Sequence, residues 1–130
     1  MKEATEIIRE EAQFRKDRLM GHQLDIRERV EQIASYLEDI EEKQETTPIN
    51  LYLKFMESDS KAIEEIIRDN AIIFGSVLPD KIKLYLQYVR MYYRKYDASL
   101  DEKTRILYAD SVRRFTKLLL EKLPEPPVDN

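Results

Sequence analysis

The sequence predicts an all-α protein, a bundle of about five helices with a long N-terminal helix that projects from it. Three observations carry this. Only 2 glycines and 5 prolines punctuate 130 residues, while charged residues make up 37% and hydrophobic ones 42% of the chain, a helix-forming composition. Apolar residues recur at steps of three and four in nearly every segment, and no strand-like alternation occurs. The first 45 residues contain no proline and a single glycine, Gly21.

In chain order, the first element runs from about Glu3 to Glu45. Its second half carries the cleaner stripe, Ile26, Val30, Ile33, Leu37 and Ile40, a coiled-coil-like seam that Ala34 widens. Its first half is weaker: Ala4, Ile8, Ala12 and Leu19 lie on one side, and Arg15, Lys16 and Arg18 interrupt them. As one helix it measures about 65 Å, against a radius of gyration of roughly 14 Å for a compact domain of this size. Either the chain bends at Gly21 or the overhang pairs with another chain. A single glycine costs a helix only about 1 kcal/mol, which favours the overhang.

Thr47 and Pro48 suit a cap and a first helical position, opening a short helix to about Glu57 with Leu51, Leu53, Phe55 and Met56 on its apolar side and Tyr52 alongside. Ser58-Asp59-Ser60 is expected to stop that helix and cap the next, Lys61–Phe74, whose stripe is Ile63, Ile66, Ile67, Ala71 and Phe74. Gly75 stands at its C-cap. Val77 and Leu78 are read as loop. Pro79 then opens a helix to Asp97 that holds five tyrosines and five basic residues. Ile82, Leu86, Val89 and Tyr93 form one face, and Tyr85, Tyr88, Tyr92 and Tyr96 a second beside it. Ser99 and Glu102 match a capping box for the last helix, which carries Ile106, Leu107, Ala109, Val112, Phe115, Leu118, Leu119, Leu120 and Leu123. Pro124 ends it. The organisation expected is therefore an arm over 1–46, a bundle over 47–123 and a disordered tail over 124–130.

Net charge is −4, so no bulk basic excess points to nucleic acid or membrane. The charge is uneven: residues 1–50 carry 8 basic and 13 acidic side chains, residues 79–122 carry 11 basic and 6 acidic. The acidic front helix lying along a basic back explains this, and so does a positive face kept for a partner. There is no cysteine, which excludes thiolate metal sites and cysteine nucleophiles. No run approaches a membrane span or a signal peptide, and the default location is the cytoplasm.

Catalysis finds little support. One histidine, His22, precludes a histidine-based metal cluster within the chain, and no glycine-rich phosphate loop occurs. Glu64, Glu65 and Asp69 flank an inward stripe and are read as solvated. His22-Gln23-Leu24-Asp25-Ile26-Arg27 is placed like a phosphoacceptor helix in the dimerisation domain of a sensor kinase, but an exposed histidine without a role is the simpler reading. No catalytic residue, cofactor or metal is therefore expected.

The expected function is non-enzymatic protein–protein interaction of a regulatory or adaptor kind. The partner is a second copy or another helical protein, and the interface is Leu19, Ile26, Val30, Ile33, Leu37 and Ile40. On that reading, aspartate at Ile33 and Leu37 splits the complex and spares the bundle. The alternative is an RNA- or DNA-binding subunit. In it Tyr85, Tyr88 and Tyr92 stack bases while Lys81, Arg90, Arg94, Lys95, Arg113 and Arg114 contact phosphates. The competing account of those tyrosines is a core with hydroxyls at its rim.

Overall fold

The structure, a computed structural model, describes residues 3–43, 49–75, 77–97 and 101–127. It comprises α1 (Ala4–Lys43), α2 (Ile49–Asp69), the single turn α3 (Ala71–Phe74), α4 (Val77–Asp97) and α5 (Glu102–Lys122). No strand occurs among the described residues. No helix there is long and apolar enough to cross a membrane.

The four long helices close a ring in which α1 packs on α2, α2 on α4, α4 on α5 and α5 on α1. Neighbours run antiparallel. Arg29 meets Asp59 while Tyr36 meets Tyr52 across α1–α2. Across α4–α5, Tyr85 meets Thr116 and Tyr96 meets Arg105. Short connections between consecutive helices favour this up-down-up-down order. The core unites Ile26, Val30, Ile33, Leu37 and Ile40 of α1 with Met56 and Ile63 of α2, Tyr85, Val89 and Tyr92 of α4, and Val112 and Leu119 of α5. The second half of α1 is therefore a wall of the bundle. A boundary at residue 46 would divide one core.

α1 passes through Gly21 without a break. At 40 residues it measures about 60 Å, against about 32 Å for each 21-residue partner. A Cβ built on Gly21 meets nothing within 4 Å. Gly21→Ala should therefore raise stability by about 0.5–1 kcal/mol through the restricted unfolded chain and better helix propensity. A thermal melt followed by circular dichroism checks this, and a lowered midpoint would contradict an unbroken helix.

The chain does not stop at Ser58-Asp59-Ser60, as the sequence led one to expect; α2 continues to Asp69. Asp59 and Ser60 are buried mid-helix. The Arg29 guanidinium donates to the Asp59 carboxylate at 2.7 Å. The Gln32 amide, turned with its nitrogen toward Asp59, lies 3.1 Å from it. With its oxygens engaged by α1, Asp59 no longer competes for backbone N–H groups, the competition that makes such residues helix stops. The actual stop is Asn70, whose Nδ2 donates to the Ile66 carbonyl at 2.8 Å. Gly75 follows α3 at φ 72°, a conformation glycine adopts without strain.

α4 begins at Val77, two residues before Pro79, so Val77 and Leu78 are helical and not loop. Proline is tolerated within a first turn because its missing N–H has no intrahelical acceptor there. α5 is capped by Asp101, whose carboxylate accepts from the Thr104 amide at 2.9 Å. Ser99, the expected cap, lies outside the described residues, as do Thr47, Pro48 and residues 128–130 of the expected tail. At its other end α5 leaves carbonyls without intrahelical donors, and Arg27 of α1 supplies one. Its guanidinium donates to the carbonyls of Leu120 at 3.0 Å and Leu123 at 3.2 Å. A cation there also meets the negative end of the helix dipole.

Candidate functional site

The helix lengths decide where free surface lies. Residues 3–18 are all exposed, and the first ten residues of α1, about 15 Å of helix, precede the first one that faces the end of the bundle. At about 100° per residue, Ala4, Ile8, Ala12 and Leu19 fall in the sector occupied by Ile26, Val30 and Ile33. The core seam thus continues into this arm, where Ala4, Ile8 and Ala12 are exposed. Arg15 also falls within the sector, whereas Ile7 and Phe14 lie on the neighbouring face, about 100–120° from its centre. Ile8 is 65% and Phe14 63% exposed, and the Arg18 guanidinium lies 5.8 Å from the Phe14 ring.

Where the arm leaves the bundle, it forms a cleft of about 720 Å³ with the end of α2 and with α3. Phe14, Arg15 and Leu19 line one side, and Arg68, Ile72 and Ile73 the other. Ile72 is wholly exposed. Asp69 faces Arg68 at 3.3 Å, and Lys16 and Arg18 complete a basic lining around an apolar floor.

The expected interface is placed differently. Ile26, Val30, Ile33, Leu37 and Ile40 have between 0% and 4% of their surface exposed, inside the chain's own core. They are satisfied by α2, α4 and α5 and offer a partner nothing. Of the six residues, Leu19 alone is part-exposed, at the foot of the arm. Periodicity identified an apolar face correctly but does not say which residues the bundle is long enough to cover.

The nucleic-acid face is likewise dispersed. Tyr85 and Tyr92 have no exposed surface. Tyr88 is half-buried with its ring stacked on Phe115 at 5.0 Å. These rings are packing surface, and bases have no access to the two innermost. Burial pushes the Tyr85 phenol well above its ordinary range, and its oxygen meets the Thr116 hydroxyl at 3.3 Å. Burial also raises Tyr92, whose hydroxyl donates to Glu41 at 2.8 Å. Arg90 pairs with Glu64. Arg113 pairs with Glu38 at 2.7 Å and Asp110 at 3.2 Å. The Arg113 guanidinium holds the Glu38 carboxyl below the usual carboxylate range. Arg105, unremarked in the sequence, joins Glu41 to α5 and lies 5.5 Å from the Tyr96 ring. The uneven charge thus serves the bundle: acidic α1 lies along basic α5. Lys81, Arg94, Lys95 and Arg114 remain exposed, without the aromatic platform that gave them a nucleic-acid role.

His22 is half-buried, not exposed. Its ring lies 6.2 Å from Phe74, and its buried Nε2 meets no hydrogen-bond partner among the described residues. A nitrogen closed off in this way is not presented to a phosphoryl donor. No group of three metal-ligating side chains occurs among the described residues. Comparison with protein-family models, curated proteins and solved structures finds no match to this chain.

Proposed function

We propose that this chain is a non-enzymatic interaction protein of a regulatory or adaptor kind that associates with a second copy of itself through the arm of α1. One observation carries the reading: the apolar sector of α1 runs past the end of the bundle, leaving Ile8 uncovered, with Ile7 and Phe14 exposed on the face beside it. Contiguous exposed apolar surface of this kind marks interaction sites. Most helical stability in proteins comes from tertiary packing of an amphipathic face, so a partner that covers the arm also stabilises it. The bundle is then the scaffold and the arm the working surface.

The test is a double substitution, Ile8→Asp with Phe14→Asp. Both side chains are exposed in the single chain, so the bundle should keep its helix content and its melting midpoint to within a few degrees. The assembly should dissociate to single chains, read as absolute mass by light scattering. A variant that keeps the mass of an assembled wild type would remove the arm from the interface.

A further inference from the structure

The arm has a charge polarity along its length. Residues 3–11 carry Glu3, Glu6, Glu10 and Glu11 against Arg9, whereas residues 12–20 carry Arg15, Lys16 and Arg18 against Asp17. The acidic half is distal. The basic half is proximal and lines the cleft with Arg68, Leu19 and the exposed Ile72. The cleft therefore calls for an acidic amphipathic helix, and the distal half of the arm, with Ala4, Ile7 and Ile8 among its glutamates, is one.

Granted that the arm is the working surface, we infer that two copies pair their arms antiparallel about a two-fold axis near Glu11 and Ala12. Each distal half then seats in the other copy's cleft, against Leu19 and Ile72. Three arguments support this arrangement. Antiparallel alignment sets the acidic half of each arm against the basic half of the other, whereas parallel alignment sets like against like at both ends. At the axis the small side chain of Ala12 lets the helices approach closely. The third argument is steric. The open sector of the arm is the one that α2, α4 and α5 cover further along, where Ile26 and Val30 have no exposed surface. A second arm lying parallel on that sector would carry its own bundle into theirs. An antiparallel arm carries its bundle to the far end. The contact is isologous and closes at two chains, using the helix-in-groove mode in which apolar anchors three and four residues apart enter a cleft.

Three sets of variants test it. Ile72→Asp changes a side chain wholly exposed in the single chain, so the melting curve should not move at concentrations where both chains are monomeric. The dimer dissociation constant should rise about tenfold or more, the scale of losing one buried aliphatic side chain. An unchanged constant would overturn the seat on α3. Reversing the distal charges (Glu3→Lys, Glu6→Lys, Glu11→Lys) should abolish dimerisation, and so should reversing the proximal ones (Arg15→Glu, Lys16→Glu, Arg18→Glu). All six together should restore a dimer that excludes the wild-type chain. Parallel pairing predicts instead that the distal triple stays dimeric, since like charges still face like, and that result would overturn the arrangement.

The chain has no cysteine, so introduced thiols report proximity directly and do not depend on how charge reversal affects the arm. Ala12→Cys should oxidise readily to a cross-linked dimer. Ala4→Cys should cross-link only to a copy carrying Leu19→Cys. Efficient Ala4–Ala4 cross-linking would overturn the antiparallel geometry while leaving the arm as the interface. A wild-type chain that is a monomer throughout would overturn both and leave the cleft to a different protein.

Discussion

Aspartate at both Ile33 and Leu37 should unfold this protein. Ile33 has none of its surface exposed and Leu37 1%, and both lie in the core cluster shared by all four long helices. Each substitution forfeits about 2–3 kcal/mol of apolar burial and sets a carboxylate where nothing donates to it, at a cost of several kcal/mol more unless it protonates. Two such changes match or exceed the roughly 5–15 kcal/mol that holds a typical domain folded. Circular dichroism should show most helical signal lost at 25 °C, with the chain expanded on size exclusion. A variant that stays helical, cooperative and merely halved in mass would return the seam to the role of an interface.

The second large effect is asymmetric. Replacing Arg29 by methionine should cost about 2–3 kcal/mol, whereas replacing Arg29 by methionine and Asp59 by leucine together should recover most of that loss. The Asp59 side chain is 6% exposed and accepts from Arg29 at 2.7 Å. Without Arg29 the Gln32 amide nitrogen still faces that carboxylate but carries no charge to offset it. Removing one partner of a buried pair leaves an uncompensated charge, but replacing both with apolar groups of similar volume is often neutral or stabilising. Arg29 is itself 42% exposed, and the solvent screening this allows places the estimate below that of a fully buried pair. Denaturant titration of the single and double variants measures it. A double variant as unstable as the single one would mean that the pair holds α2 helical through residues 58–60 and does more than neutralise charge.

The same pair shows why part of the fold was legible and part was not. Spacing sufficed for Ile26–Ile40 and for Ile82, Leu86 and Val89, because a helical face depends only on the local chain. It failed at Ser58-Asp59-Ser60, where the outcome rests on Arg29, 30 residues away, and no local pattern encodes that partner. The tyrosines of α4 were a similar case. Their spacing revealed a face, but only the packing of α5, with Phe115 on Tyr88 and Thr116 on Tyr85, decides that the face is interior. At the candidate site the residue types were visible, while their exposure was not. Ile8 and Ile26 lie in one angular sector of one helix, and what separates them is that α2 ends at Asp69. Arg27 and Arg105 were passed over because a basic residue on an acidic helix or a capped one looks solvated until its acceptors on a neighbouring helix are known.

The central claim, that the arm of α1 is covered by a second copy, is tested most directly by the absolute mass of the full chain in solution, measured by light scattering across a range of concentrations. The account predicts a species of twice the 15.6 kDa chain mass that dissociates on dilution and with rising salt, as the opposed charges of the two arms are screened. A mass equal to a single chain at every concentration would contradict it.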